Sequence, residues 1–254
     1  MKPTFTQFSK FIKEITNFTE KKLRSSFENH NFQSQKKLDG TILTNSDLEI
    51  ESFIRSEIDK RFPNDSQIGE EYSDIINKSC FSWIIDPIDG TFSFANAVPL
   101  FGTLIGLLEN DEPVYGSINF PMLNNTLLLG DNYVAKVNGN ILKTSRFKGW
   151  EDSLILTTDY NRLEKSRFIK PWKNLLNMGA ICRTWGDCYG YYLLSSGKAD
   201  VMLDIDMKIH DILPIIPILK GAGVEILDLS DSQDLTSIVA CKKEIKDDLL
   251  NLFY

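Results

Sequence analysis

Apolar residues recur at helical spacing near the start of the chain, at Phe8, Phe11, Ile12, Ile15 and Phe18. Residues three and four apart share one helix face, so this spacing predicts an amphipathic helix over 4–24. The polar stretch 29–41 reads as a loop. Leu48, Ile50, Phe53, Ile54 and Ile58 repeat the helical pattern over 47–61, and Pro63 lies just beyond, where a helix cannot continue. The rhythm then changes. Residues 81–85 form an apolar run of strand length, and 100–108 and 114–120 read as two further strands around the turn 110–113. Asn138-Gly139 is a hairpin signal between 133–137 and 141–143.

In the second half, short strands and helices alternate. Strands are expected at 153–158, 180–184, 201–204, 224–227 and 237–240. Helices are expected at 161–177, 187–197 (ending at Gly197), 211–220 (closed by Gly221) and 243–252. Several strands are sequential neighbours, so the pattern implies a mixed α/β (α+β) architecture of layered sheets and helices. No repeat, low-complexity tract or flexible linker divides the sequence. The expectation is one domain over 1–254, built from two fused halves of about 1–145 and 146–254.

Composition adds exclusions. With 42% hydrophobic and 25% charged residues, the chain is of ordinary globular type. No segment approaches the ~20 apolar residues of a membrane-spanning helix, and residues 1–13 lack a signal-peptide core, so a cytoplasmic location is expected. The four cysteines (Cys80, Cys182, Cys188, Cys241) form no C-x-x-C pair and only two histidines exist, which argues against a zinc site and for free thiols. A net charge of −7 argues against nucleic-acid binding. It leaves phosphorylated small molecules open, because bound divalent cations invert the local sign.

The densest chemistry lies in Trp83-Ile84-Ile85-Asp86-Pro87-Ile88-Asp89-Gly90-Thr91. An apolar strand delivers two carboxylates into a turn that opens toward a helix. Hard cations take oxygen ligands held in this way, and free backbone N–H groups after a turn suit a phosphate. Pro87 restricts the backbone and Gly90 permits an unusual turn. Glu70 and Glu71 precede the strand, and Asp211 follows much later. Taken singly, each is adequately explained as a solvated carboxylate or a helix cap.

Together these segments resemble the inositol monophosphatase superfamily of metal-dependent, lithium-sensitive phosphomonoesterases. The matching elements are Lys37-Leu38-Asp39-Gly40-Thr41-Ile42-Leu43-Thr44-Asn45-Ser46-Asp47, Gly69-Glu70-Glu71, the 83–91 run, and His210-Asp211 with Gly221-Ala222-Gly223. The resemblance implies a layered α-β-α-β-α sandwich of the inositol monophosphatase/sugar phosphatase type. Its first half would bind metal and phosphate, and its second half substrate. It implies two or three Mg2+ per subunit on Glu70, Asp86, the Ile88 carbonyl, Asp89 and Asp211. Phosphate would be held by Gly90, Thr91 and Lys37, with Lys36 a competitor for the last role. Glu70, and Thr91 paired with Asp47, would orient and activate the attacking water. A homodimer is also implied.

Substrate choice would lie in Cys182-Arg183-Thr184-Trp185-Gly186-Asp187-Cys188-Tyr189-Gly190-Tyr191, where Gly-Asp-Cys-Tyr resembles the histidinol-phosphate phosphatase branch. Ser93-Phe94, the 99–105 segment and the 214–218 segment resemble that branch too. Histidinol phosphate carries an ammonium and an imidazole, so a pocket for it wants acids and aromatics. Asp187, Tyr189, Asp204 and Arg183 are the candidates, with Asp187 equally explicable as a cap on the 187–197 helix. Phe92 and His210 depart from the branch pattern, and the family role of the His210 position is packing. The expected activity is hydrolysis of L-histidinol phosphate in histidine biosynthesis. The alternatives are an inositol or broad sugar phosphatase, or an inactive relative that binds a phosphorylated ligand as a regulator.

Overall fold

A computed structural model describes residues 2–38 and 40–254; Asp39, from the first matching segment, lies outside the described residues. Helix α1 (Phe5–Glu28) runs past its expected end. Thr4 caps it reciprocally with Gln7: the Gln7 side chain accepts from the Thr4 N–H, and the Thr4 hydroxyl accepts from the Gln7 N–H. The predicted loop 29–41 instead carries a hairpin, β1 (Ser34–Lys36) against β2 (Ile42–Thr44). β1 is fully exposed and three residues long, so it has no buried face to write an alternation into the sequence. Helix α2 (Asn45–Arg61) follows as expected.

A seven-stranded sheet occupies the first half. It comprises β3 (Ser66–Gly69), β4 (Phe81–Asp89), β5 (Gly102–Glu109), β6 (Glu112–Phe120), β7 (Thr126–Gly130), β8 (Ala135–Val137) and β9 (Asn140–Leu142), in that spatial order. Only the β3–β4 pair is parallel. The short helix α3 (Thr91–Ala95) sits between β4 and β5. Asn138 and Gly139 make the β8–β9 turn, with φ of 48° and 85°.

The second half begins with β10 (Leu154–Leu156), α4 (Tyr160–Glu164), α5 (Ile169–Asn177), β11 (Ile181–Arg183), α6 (Asp187–Ser195) and β12 (Val201–Asp204). It ends with α7 (Ile209–Ile212), α8 (Ile216–Ala222), β13 (Val224–Asp228), β14 (Ile238–Lys242) and α9 (Lys246–Phe253). Its five strands are ordered β11-β10-β12-β14-β13. Two expected helices are each broken in two, and proline is the reason. Pro171 and Pro217 each fall in the first turn of a restarted helix, where a missing N–H costs no hydrogen bond.

Three apolar clusters define the layers. Phe8, Phe11 and Ile12 of α1 and Ile50 and Ile54 of α2 pack on Trp83, Ile85, Ile105 and Leu107. The Trp83 ring meets Phe8 at 5.9 Å and Phe11 at 5.2 Å. Leu104 and Ile118, from the opposite sheet face, pack on Leu194 and Leu219 of α6 and α8, which in turn cover Leu156, Met202 and Ala240 of the second sheet. The far side of that sheet, Ile155, Leu203 and Val239, is closed by Trp172 of α5 and Leu249 of α9. The order is therefore α-β-α-β-α. Both sheets are covered on both faces, which is why their strands read as near-continuous apolar runs. Among the described residues, no helix is long and apolar enough to cross a membrane.

Candidate active site

The site forms where β4 leaves its sheet. Its ladder with β5 is regular from Phe81 to Asp86 and shifts register before Asp89, so the chain bulges at Pro87-Ile88. Asp86 is 1% and Asp89 7% exposed. Asp86 Oδ1 accepts the Ile88 N–H at 3.0 Å. Asp89 Oδ2 accepts the Cys188 N–H at 2.5 Å, tying the end of β4 to the first turn of α6 in the other half. Gly90 turns the chain at φ 84°, a conformation that side chains with a Cβ rarely adopt. Thr91 then places its hydroxyl 2.7 Å from the Ile88 carbonyl and 3.3 Å from Asp47 Oδ1.

Glu70 and Glu71 are positioned by a buried ion pair on α2. Glu51 accepts the Glu71 N–H at 2.8 Å and the Arg55 Nε–H at 2.8 Å, and Arg55 Nη2 donates to the Tyr72 carbonyl at 3.1 Å. A Cβ at residue 69 would collide with the Glu51 carboxylate, so only glycine lets the strand pass here. The exposed hairpin has its own purpose. Its turn carries Lys37, whose Nζ lies 2.8 Å from both Glu70 Oε1 and Glu71 Oε1, whereas Lys36 is exposed on β1. Of the two lysines, Lys37 is the one that reaches Glu70 and Glu71. Asp47 accepts from the Thr44 N–H at 2.7 Å and from the Thr44 hydroxyl.

Asp211 comes from α7, with Oδ2 accepting the Lys208 N–H at 2.8 Å. Its neighbour His210 is only 7% exposed, and its Nε2 points at acids, 3.4 Å from Asp211 Oδ1 and 4.0 Å from Glu70 Oε1. The packing role expected for this position is thus incomplete. Two groups of ligand atoms each lie within 4.8 Å of one another: Glu70, Asp86 and His210, and Asp86, Asp89 and Asp211. Asp86 belongs to both.

The electrostatics show what such a cluster lacks. Burial, then repulsion from Glu70, Asp89 and Asp211, holds the Asp86 carboxyl well above the usual carboxylate range. Asp89 is raised by burial and then by Asp187 and Asp211, and burial raises Asp211 as well. Burial pushes Asp47 up to about 6 and Glu71 up to about 7. For Lys37 burial favours the neutral amine, but its bonds to Glu70 and Glu71 prevail and its pKa rises. Lys37, and the weaker pull of Lys208 on Asp211, leave these acids raised. Divalent cations on carboxylate oxygens and the Ile88 carbonyl would balance them, and the donor set suits such ions.

The residues expected to choose substrate divide into two kinds. Asp187 opens α6 in the left-handed region, at φ 49°, with its N–H donated to the Thr158 hydroxyl at 2.8 Å. Gly186 takes the N-cap position, so the capping reading of Asp187 does not hold. Its Oδ2 packs on the Gly90 turn, 3.1 Å from where a Cβ would stand. Asp204 is buried and accepts the Thr158 N–H at 2.9 Å. Burial, then repulsion from Asp204 and Asp211, lifts Asp187 to about 7, while burial lifts Asp204 to about 6 against its hydrogen bonds. Tyr189 packs edge-on against Phe120. Arg183 is exposed on the edge strand β11 and donates to its neighbour's carbonyl, and no hydrogen bond or ion pair among the described residues joins it to the acids. The Glu51–Arg55 brace was not among the expected site residues. A Glu four residues before an Arg on a predicted helix was its available signal.

This arrangement can be set beside known proteins. The model of the Inositol monophosphatase family matches residues 6–252. The chain belongs to that family. The histidinol-phosphatase of Chlorobaculum parvum is 34% identical over 209 residues, covering 82% of this chain and 81% of the relative. The fructose-1,6-bisphosphatase/inositol-1-monophosphatase of Aquifex aeolicus is 26% identical, covering 81% and 79%. An IMPase/NADP phosphatase solved with Mg2+ and phosphate superposes with a TM-score of 0.84 at 17% identity, covering 98% of this chain and 96% of that one. This inositol monophosphatase family member is accordingly a phosphoric monoester hydrolase, with the family's layered fold.

Proposed function

We propose that this family member is a Mg2+-dependent phosphatase whose substrate is L-histidinol phosphate. The observation that carries the reaction is the pair of ligand groups sharing Asp86, drawn from β4, the Gly69-Glu70 segment and α7. When bound, two or three divalent cations would neutralise the acids and polarise the phosphate oxygens. Glu70, Asp86, Asp89, Asp211 and the Ile88 carbonyl are the ligands in this reading. The Thr91 hydroxyl, within hydrogen-bonding reach of Asp47 and of the Ile88 carbonyl, keeps its lone pairs free to orient the attacking water, with Glu70 as the second orienting group. Gly90 and Thr91 N–H groups and Lys37 draw the phosphate in. No covalent phosphoenzyme is involved. The nearest thiol, Cys188, is buried and held well above its ordinary pKa, chiefly by burial, so it stays protonated.

The substrate reading rests on buried Asp204 and half-buried Asp187, whose backbone N–H meets Thr158, with the Asp187 carboxyl beside the Gly90 turn. They suit a cationic leaving group. The histidinol-phosphatase name of the C. parvum relative agrees. A second reading, a broader inositol or sugar phosphatase, is favoured by the A. aeolicus relative. Residues 1–254 act as one unit in this reading, as a cytoplasmic homodimer. The test is phosphate release from histidinol phosphate, myo-inositol monophosphate, fructose bisphosphate and a phosphonucleotide, with Mg2+ and then with chelator. Fastest release from histidinol phosphate, abolished by chelator, is expected. Preference for inositol monophosphate would replace the substrate. Metal binding with no release from any ester would point instead to a phosphate-binding regulator.

A further inference from the structure

Resting on the metal-dependent reading above, we infer that His210 Nε2 is a direct ligand of the cation held by Glu70 and Asp86, and that it biases this position toward a first-row transition dication over Mg2+. The imidazole is buried, and its Nε2 has no hydrogen-bond partner among the described residues. A buried ring nitrogen without a partner is costly. Its surroundings explain the cost. Nε2 lies 3.4 Å from Asp211 Oδ1 and 4.0 Å from Glu70 Oε1, too far for good hydrogen bonds. The separation from Glu70 suits atoms that share an ion instead. Octahedral ligands at ~2.1 Å stand about 3 Å apart when adjacent and about 4.2 Å apart when opposite. The ligand atoms of Glu70, Asp86 and His210 all fall within 4.8 Å of one another, so a modest closure of the side chains would bring them onto one ion.

Nitrogen changes what the position prefers. Mg2+ favours oxygen and keeps its waters, whereas imidazole suits the later first-row ions, whose affinities rise from Mn2+ to Co2+. The Asp86, Asp89 and Asp211 group has oxygen donors only. The two positions therefore differ, one mixed oxygen–nitrogen and one all oxygen. Lys37 does not compete for the imidazole, because it approaches Glu70 and Glu71 from the hairpin.

The test uses the full chain, stripped with chelator and reloaded with Mn2+. Pulsed electron paramagnetic resonance is expected to show a ligand-nitrogen coupling in the wild type that disappears in His210→Phe, which keeps a ring of similar size. Calorimetry should show Co2+ affinity falling about tenfold or more in the variant, with Mg2+ affinity within about threefold. His210→Asn repeats the measurement if the phenylalanine variant folds poorly, and the wild-type spectrum needs no variant. Bound Mn2+ with no nitrogen coupling overturns the inference while sparing the phosphatase reading. Failure to bind any divalent cation overturns both.

Discussion

Replacing Asp86 by Asn should make the metal-free protein more stable and the enzyme inactive. The side chain belongs to both ligand groups, whose atoms lie within 4.8 Å of one another. At 4.8 Å and an effective dielectric of ~20, each ionised pair repels by about 3.5 kcal/mol. Three such neighbours, Glu70, Asp89 and Asp211, would cost about 10 kcal/mol, so the metal-free protein binds protons instead. Each pKa unit by which burial and these neighbours raise the Asp86 carboxyl costs the folded metal-free protein about 1.4 kcal/mol, a cost Asn does not carry. Asn keeps an oxygen for the Ile88 N–H, so the local bulge survives. The expected gain is about 2 kcal/mol, or roughly 4–8 °C in melting temperature for a chain of this size. With Mg2+ added, the wild type should gain stability and the variant little. Turnover should fall a hundredfold or more, since each ~1.4 kcal/mol of lost transition-state stabilisation is tenfold. Thermal melts with and without chelator, beside phosphate release, make the assay. A variant that melts lower than wild type without metal, yet still responds to Mg2+, would refute the account of Asp86 as a shared ligand in a repelling cluster.

Glu51→Gln leaves Arg55 buried and unpaired and loosens the Glu71 and Tyr72 amides; chemical denaturation should show a loss of about 3–5 kcal/mol, and a loss below ~1 would mean the brace is not structural. Asp187→Asn should raise KM for histidinol phosphate about tenfold while leaving that for inositol monophosphate within about twofold, given the worth of one charged hydrogen bond; equal losses on both esters would remove Asp187 from specificity. The metal-free protein should lose stability as pH rises. Asp187 and Asp204 sit near 7 and 6, above their ordinary 3.8, as do Asp47 and Glu71 above theirs. An acid with a raised folded-state pKa contributes most below its unfolded pKa and loses that contribution through the folded one. Melts of chelated protein between pH ~5 and ~8 should therefore decline steadily, and saturating Mg2+ should flatten the trend.

Much of the fold was legible because its elements bury a face. Phe8, Phe11 and Ile12 wrote α1 into the spacing, and the apolar run at Trp83-Ile84-Ile85 announced a strand covered on both sides. The β1–β2 hairpin was missed because it is short and exposed. The broken helices were readable at Pro171 and Pro217, had proline been weighed above periodicity.

The sequence by itself determined the chemical inventory: acids on either side of a bulged strand, a glycine where the chain must turn, and a family pattern that named the reaction. Those are local facts, set by side-chain type and spacing. The tertiary structure decided which groups meet. It placed Lys37 rather than Lys36 on Glu70, put Asp86 in two ligand groups, left Arg183 exposed on the carbonyl of Cys182, and turned His210 Nε2 toward Glu70 and Asp211. Such meetings join segments far apart in the chain. They depend on sheet register and on the packing of α2, α6 and α7 around the end of β4, and side-chain periodicity carries no record of them.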